Sequence, residues 1–285
     1  MYRLTPIEPV DYLVIGHLTQ DLTPTGPRLG GTAAYASLTA RALGLRVGIL
    51  TSCEDCLRAV ELEREGIQVV GQHAEETTTF ENIQTPNGRI QYVHKIAPEI
   101  NVSMVPEVWR SAPVVHLGPV AREVDPNLIR AFPSAMVGLT PQGWMRVWDK
   151  QGRVSYGEWP ESTYVLQQAG AAVISIEDIR GDERVVEDMA SAVRVLAVTE
   201  GPNGARIYWN GDMRRFRPIK QAEVDPTGAG DIFAAGFFTR LQATRDPWEA
   251  GRFATNLASF SVTRVALEGV PTPEEVQSCL VEVTK

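Results

Sequence analysis

The stretch Asp225-Pro226-Thr227-Gly228-Ala229-Gly230-Asp231 carries the most legible chemistry in this chain. It runs straight into an apolar stretch, residues 232–238, which predicts a helix opening at the glycines. The first amides of a helix have no partner within it, and the helix dipole is positive at that end. Small residues at 228–230 let a ligand come close to that backbone, so the loop reads as an anion site, with phosphate the natural occupant. Asp231 stands in the first turn, where a carboxylate can take a proton from a hydroxyl attacking phosphorus. Taken alone, the same residues could also be a tight turn followed by an acidic first helical turn.

Two other phosphate loops are excluded. A Walker loop needs Gly-Lys-Ser/Thr, and none of the four lysines (Lys95, Lys150, Lys220, Lys285) follows a glycine loop. The dinucleotide fingerprint fails because Phe233 stands at its third glycine, and that motif belongs after a first strand.

The elements that must position this loop follow an α/β rhythm. Residues 12–15, 47–50 and 67–70 read as buried strands. Between them lie an alanine-rich helix over 32–43, opened by Gly30-Gly31, and a helix over 54–65. Residues 77–84 and 89–96 then predict an antiparallel flap turning at Pro86-Asn87-Gly88. Strands over 114–117, 136–139, 173–175 and 196–199 resume the alternation, with a helix entered at Asp125-Pro126. A second hairpin turns at Asn210-Gly211. Helices close the chain, two of them announced by Asp246-Pro247-Trp248-Glu249 and Thr272-Pro273-Glu274-Glu275. The expectation is one α/β domain over 1–285: a mostly parallel central sheet flanked by helices, with small β-lid elements around 17–29 and 77–97.

Composition narrows the function. With a formal net charge of −8 and pI near 5.2, the chain has no basic face fit to neutralise a nucleic-acid backbone. Arg214, Arg215 and Arg217 read as a solvated hairpin face. No apolar run is long enough to span a membrane, and residues 1–9 lack the pattern of a secretory leader. Three cysteines make no disulfide framework, and Cys53-x-x-Cys56 has neither a second pair nor a His at ligand spacing. A cytoplasmic location is expected.

The loop at 225–231, read with the rest of the chain, resembles the C-terminal signature of the PfkB, ribokinase-like carbohydrate kinases. The likeness runs along nearly the whole sequence. Gly30-Gly31 with its alanine-rich helix resembles that family's N-terminal signature, and Gly269-Val270-Pro271-Thr272 its closing segment. The resemblance implies a three-layer fold and an ATP-dependent transfer of phosphate to a sugar or polyol hydroxyl. By it, Gly228, Ala229 and Gly230 bind the migrating group and Asp231 is the base. Asp21, Gly30, Gly31, Tyr35, Gln142 and Arg146 fall on the acceptor side. Thr199, Gly201, Asn203, Gly204, Thr227 and Asn256 fall on the nucleotide side. Glu177 and Asp178 would serve Mg²⁺, and the family leaves room for a monovalent cation. A monomer or homodimer is implied.

Three positions depart from the pattern: Tyr35 stands for an Asn, Ser175 for the Asn of Asn-x-x-Glu, and Cys53-Glu54-Asp55 for Gly-Asp-Asp. Glu76-Thr-Thr-Thr-Phe-Glu81, Gln142 with Arg146, and Asp225-Pro226 resemble the myo-inositol kinase branch in particular. Gln142 and Arg146 follow the strand at 136–139, at the end where open α/β sheets bind ligands. A nucleoside kinase, with Tyr35 or Phe80 against a base, is one rival reading. A catalytically silent binding protein is another.

Overall fold

The computed structural model describes residues 6–54, 59–85 and 88–280. Its centre is a nine-stranded sheet in the order β15-β14-β13-β12-β9-β8-β1-β4-β5. These strands are β1 (Tyr12–Ile15), β4 (Val47–Cys53), β5 (Gln68–His73), β8 (Val114–Leu117), β9 (Met136–Leu139), β12 (Ala171–Ser175), β13 (Val195–Thr199), β14 (Ala205–Trp209) and β15 (Asp212–Phe216). Every pairing is parallel except β13–β14 and β14–β15. That last hairpin turns at Asn210 and Gly211, both with positive φ, as its sequence predicts.

Because side chains alternate across a strand, the apolar strands feed two separate cores. Tyr12, Val14, Ile49, Val114 and Ala197 face one way. They pack against α1 (Thr32–Ala42), α5 (Ala229–Thr244) and α6 (Pro247–Ser261). Leu13, Ile15, Leu50, Leu117 and Val198 face the other way. They meet Trp109, Phe132 and Trp144, with α3 (Ser162–Leu166) and α4 (Glu183–Ala192) outside them. The result is helix, sheet, helix: the three layers expected. The remaining helices are α2 (Ala59–Arg64) and α7 (Pro273–Leu280).

The helix-start signals are real. Asp246 Oδ1 accepts from the amides of Trp248 and Glu249 at 2.8 and 3.3 Å. Thr272 and Glu275 cap each other reciprocally, at 2.9 and 3.3 Å. The segment entered at Asp125-Pro126 is corrected. It is a 3-10 run, Pro126–Ala131, capped by Asp125, not an α-helix.

A second sheet, ordered β3-β2-β6-β7, stands off the main one. It joins β2 (Thr19–Thr23) and β3 (Gly26–Gly30) to β6 (Thr79–Thr85) and β7 (Gly88–Lys95). Pro86 and Asn87, at the tip expected for that hairpin, lie outside the described residues. A hairpin not foreseen in the sequence, β10 (Arg146–Trp148) with β11 (Val154–Tyr156), leans on β7 through the Val93 amide and Gly152 carbonyl at 2.8 Å. It parts Trp144 from Trp148: the first is buried and stacked on Trp159, the second exposed.

Helix α5 seats on the sheet through Phe238, whose ring fills the space above Gly138 on β9 and lies 5.0 Å from the His116 ring. A Cβ at 138 would sit 2.6 Å from that ring. Gly138→Ala should therefore destabilise the fold by about 1–3 kcal/mol, the usual cost of overpacking. A lower urea midpoint at unchanged slope checks this.

Candidate active site

Parallel strands deliver their carboxyl ends to one edge of the sheet, so loops distant in sequence meet there. The segments after β1, β8, β9, β12 and β13 all reach that edge. Helix α5 begins with Gly228 as its N-cap, in the left-handed region at φ 82°. A Cβ on Gly228 would overlap the Tyr35 ring, so a glycine is needed there for packing as well as for backbone conformation.

The loop's amides are only partly spoken for. Thr227 N–H donates to Asp225 Oδ1 at 2.9 Å, and Ala229 N–H to the Pro226 carbonyl at 3.2 Å. The other Asp225 oxygen accepts from the Ala266 amide at 2.9 Å, tying the loop to the chain's closing segment. Among the described residues, the amides of Gly228, Gly230 and Asp231 have no hydrogen-bond partner. Of the three residues expected to form an anion hole, Gly228 and Gly230 keep uncommitted amides, and Asp231 adds a third. The Ala229 N–H is taken by the Pro226 carbonyl. Gly230 is exposed, with open space where a Cβ would stand.

Asp231 is partly buried, and its Oδ1 accepts from the Thr32 hydroxyl at 2.7 Å. Burial pushes its carboxyl up to about 6; Thr32 and the charge of Arg146 pull down, while Asp178 and Asp21 push up. The structure thus gathers Asp21, Asp178, Arg146 and Asp231, which span most of the sequence, into one electrostatic neighbourhood. A base with a midpoint just below neutrality is suited to proton transfer at physiological pH.

On the expected acceptor side, Asp21 lies so close to Gly30 that a Cβ there would strike its carboxylate, and Thr19 Oγ1 donates to Asp21 Oδ1 at 3.2 Å. Gly31 is the N-cap of α1 at φ 85°. Tyr35 is only 2% exposed, packed with Ile232, Phe253 and Leu257 beneath Gly228. Burial, with Asp231, Asp21 and Asp225 nearby, raises its phenol well above the ordinary range. Tyr35 therefore supports the anion loop from below. Gln142 donates from Nε2 to Thr32 Oγ1 at 3.1 Å and accepts from Arg146 Nη2 at 2.8 Å. Arg146 also donates to the Val120 carbonyl at 2.8 Å, with its guanidinium 5.5 Å from the centre of the Phe80 ring. A cavity of about 270 Å³ opens here, lined by Gln142, Arg146, Tyr156, Glu177, Asp178 and Arg180.

On the expected nucleotide side, Thr199 closes β13 and leads into the 3-10 turn Gly201–Asn203. Gly204 follows at φ 89°, where a Cβ would strike the Phe216 carbonyl. Asn256 is half-buried on α6, which packs against α5. Next door, the Ser175 amide donates to Asp178 Oδ2 at 3.2 Å. Among the described residues no three His, Cys, Asp or Glu side chains converge to cage a metal. Two carboxylates, Glu177 and Asp178, do line the cavity. That set fits Mg²⁺, which keeps waters and takes further oxygens from phosphate.

Thr32 was not singled out in the sequence. Its only signal was a hydroxyl directly after Gly31, at the start of α1. His17 is structural: its ring bridges Thr78 Oγ1 at 2.7 Å and the Pro98 carbonyl at 3.0 Å. Cys53 is disulfide-bonded, contrary to the expectation from the cysteine count, whereas Cys279 is buried and free. Cys56 lies outside the described residues. No helix among the described residues is long and apolar enough to cross a membrane.

Residues 169–273, which include the anion loop, match the model of the pfkB family carbohydrate kinases. A cytidine kinase from Thermococcus kodakarensis is 25% identical over 87% of this chain and 95% of its own. Two solved structures share the architecture at 18% identity. A pyrophosphate-dependent kinase of the ribokinase family, complexed with a pyrophosphate analogue and myo-inositol, covers 94% of this chain and 99% of its own at a TM-score of 0.79. Arabidopsis thaliana ribokinase, complexed with ribose and ATP, covers 95% and 99% at a TM-score of 0.71. The fold is thus ribokinase-like.

The loop's geometry makes a stability prediction independent of activity. Gly228→Ala must place a side chain at positive φ and against Tyr35, and should cost about 2 kcal/mol or more. Gly230→Ala, inside the helix and facing open space, should leave stability unchanged or slightly raised. Paired urea unfolding curves distinguish the two.

Proposed function

We propose, from the match of residues 169–273 to the pfkB carbohydrate kinase model and from the ribokinase-like fold, that this chain is a kinase that phosphorylates a hydroxyl of a small sugar or polyol. The observation that carries this reading is the pairing of three uncommitted amides, at Gly228, Gly230 and Asp231, with a partly buried carboxylate on the last of them.

In the proposed reaction, the acceptor hydroxyl lies between Asp21 and Asp231. Asp231 takes its proton as the hydroxyl oxygen bonds to phosphorus, and the bond from phosphorus to the leaving oxygen of the donor breaks. The free amides receive the charge on the phosphoryl oxygens, so positioning and electrostatics supply most of the rate. The donor is ATP, reached by the turn at Thr199–Gly204, with Thr227 and Asn256 nearby. Mg²⁺ bound to its phosphates would neutralise charge there, with Glu177 and Asp178 the side chains placed to hold it. The small sheet of β2, β3, β6 and β7 acts as a lid that excludes water.

A myo-inositol-like acceptor fits better than a nucleoside. A base needs an exposed aromatic or apolar wall, but Tyr35 is packed under the loop and Phe80 is 4% exposed beneath Arg146. The polar atoms of Asp21, Gln142 and Arg146 suit a ring of hydroxyls.

Two outcomes test the proposal. Asp231→Asn should lower kcat at least about 10²-fold while donor binding persists, and survival of kcat would overturn the assignment. The base must be ionised to act. The rate should therefore fall with unit slope as pH drops below about 6, the value to which burial raises Asp231. A product assay with inositol, fructose, ribose and cytidine, each with ATP or pyrophosphate, identifies acceptor and donor. Donor binding without turnover across the whole panel would instead indicate a silent binding protein.

A further inference from the structure

We propose that Thr32 is a positioning residue: it is the last link of a one-way donor chain, Arg146 to Gln142 to Thr32 to Asp231, that holds Oδ1 and reserves Oδ2 for the acceptor's proton. The inference rests on the kinase reading for its catalytic meaning, though not for its geometry.

The direction of the chain is forced by its first member. A guanidinium has donors only, so Arg146 Nη2, 2.8 Å from Gln142 Oε1, must donate to it. Gln142 then presents its amide nitrogen to Thr32 Oγ1 at 3.1 Å, and the amide also only donates. Thr32 has one hydroxyl proton, and with a donor already pointed at its oxygen that proton goes to Asp231 Oδ1 at 2.7 Å. A proton on Oδ1 would face a donor. Asp231 can therefore take up a proton without breaking the chain only on Oδ2.

The chain is also mechanically anchored. Thr32 is buried, with its methyl group seated over Gly118 in the space a Cβ there would need. Arg146 is fixed by the Val120 carbonyl and by the Phe80 ring. The other charged or titratable groups facing Asp231 are Asp21 from β2, Asp178 from the turn after β12, Tyr35 from α1 and Tyr12 from β1. Thr32 is the group whose hydroxyl donates to the carboxylate itself.

The test is a carboxyl ¹³C NMR titration of the full chain, with the Asp231 signal assigned through Asp231→Asn. Thr32→Val keeps the shape and removes the proton, and should raise the Asp231 midpoint by about 1 pH unit or more, as expected for losing a hydrogen bond to a charged acceptor. Thr32→Ser should restore it. Gln142→Leu, which breaks the chain one link earlier, should move the midpoint the same way but less, and decides the matter if Thr32→Val does not fold. Unchanged midpoints in folded variants overturn the inference. In the activity assay, Thr32→Val should lower kcat and shift its acid limb upward with little change in acceptor KM; a KM effect alone overturns it too. If the native chain turns over no acceptor, the kinase reading fails, and the titration still decides the role of Thr32.

Discussion

A carboxylate in a partly dry cleft, beside two others, is costly to keep ionised. Everything near Asp231 answers to that constraint. Burial and the charges of Asp21 and Asp178 push it toward the neutral acid, and Thr32 and Arg146 push back. The balance leaves a midpoint of about 6, where the group is mostly ionised at neutral pH yet still basic enough to take a proton. Without Arg146 and Thr32 the carboxyl would titrate higher, and without the burial it would titrate lower.

Holding that balance needs rigid neighbours, and the sheet provides them. Thr32 follows the loop after β3, Gln142 and Arg146 follow β9, and Asp178 follows β12; each comes from a different crossover of the same parallel sheet. Phe238 seats α5 over Gly138, and Tyr35 fills the space under Gly228, so the amides and the carboxylate at the start of α5 are held against the sheet and α1. The small sheet joins this arrangement at Phe80, whose ring supports the Arg146 guanidinium. A shift of that sheet would be felt at Arg146, the first link of the chain that ends on Asp231.

What could be read from the sequence was what is local. The buried strands, the Asn210-Gly211 turn, the caps at Asp246 and Thr272, and the helix opening at Gly228 each depend on residues a few positions apart. What could not be read is long-range. The bond between Thr32 and Asp231 spans 199 positions, and no periodicity reports it. The β10–β11 hairpin escaped because its strands are three residues long and half polar. The 3-10 run at Pro126–Ala131 carries the same Asp-Pro start signal as a full helix, and only tertiary packing decides how far it winds. Gln142 and Arg146 could be placed because they follow a legible strand, but their partners could not.

The aromatic at position 35 shows how one substitution redistributes work across a site. Where the carbohydrate kinases this chain resembles often have an amide, this chain has a ring that the protein buries, so that position supplies packing to the loop rather than a side-chain amide. Under the proposed chemistry, acceptor hydroxyls must then find their polar partners at Asp21 and along the Gln142–Arg146 side. Those are also the groups that bear on the charge of Asp231, through Coulombic interaction or the donor chain. Recognition and base strength are therefore built from shared residues. An acceptor that competes for Gln142 or Arg146 alters the base it must use, which makes acceptor choice and proton affinity two readings of one network.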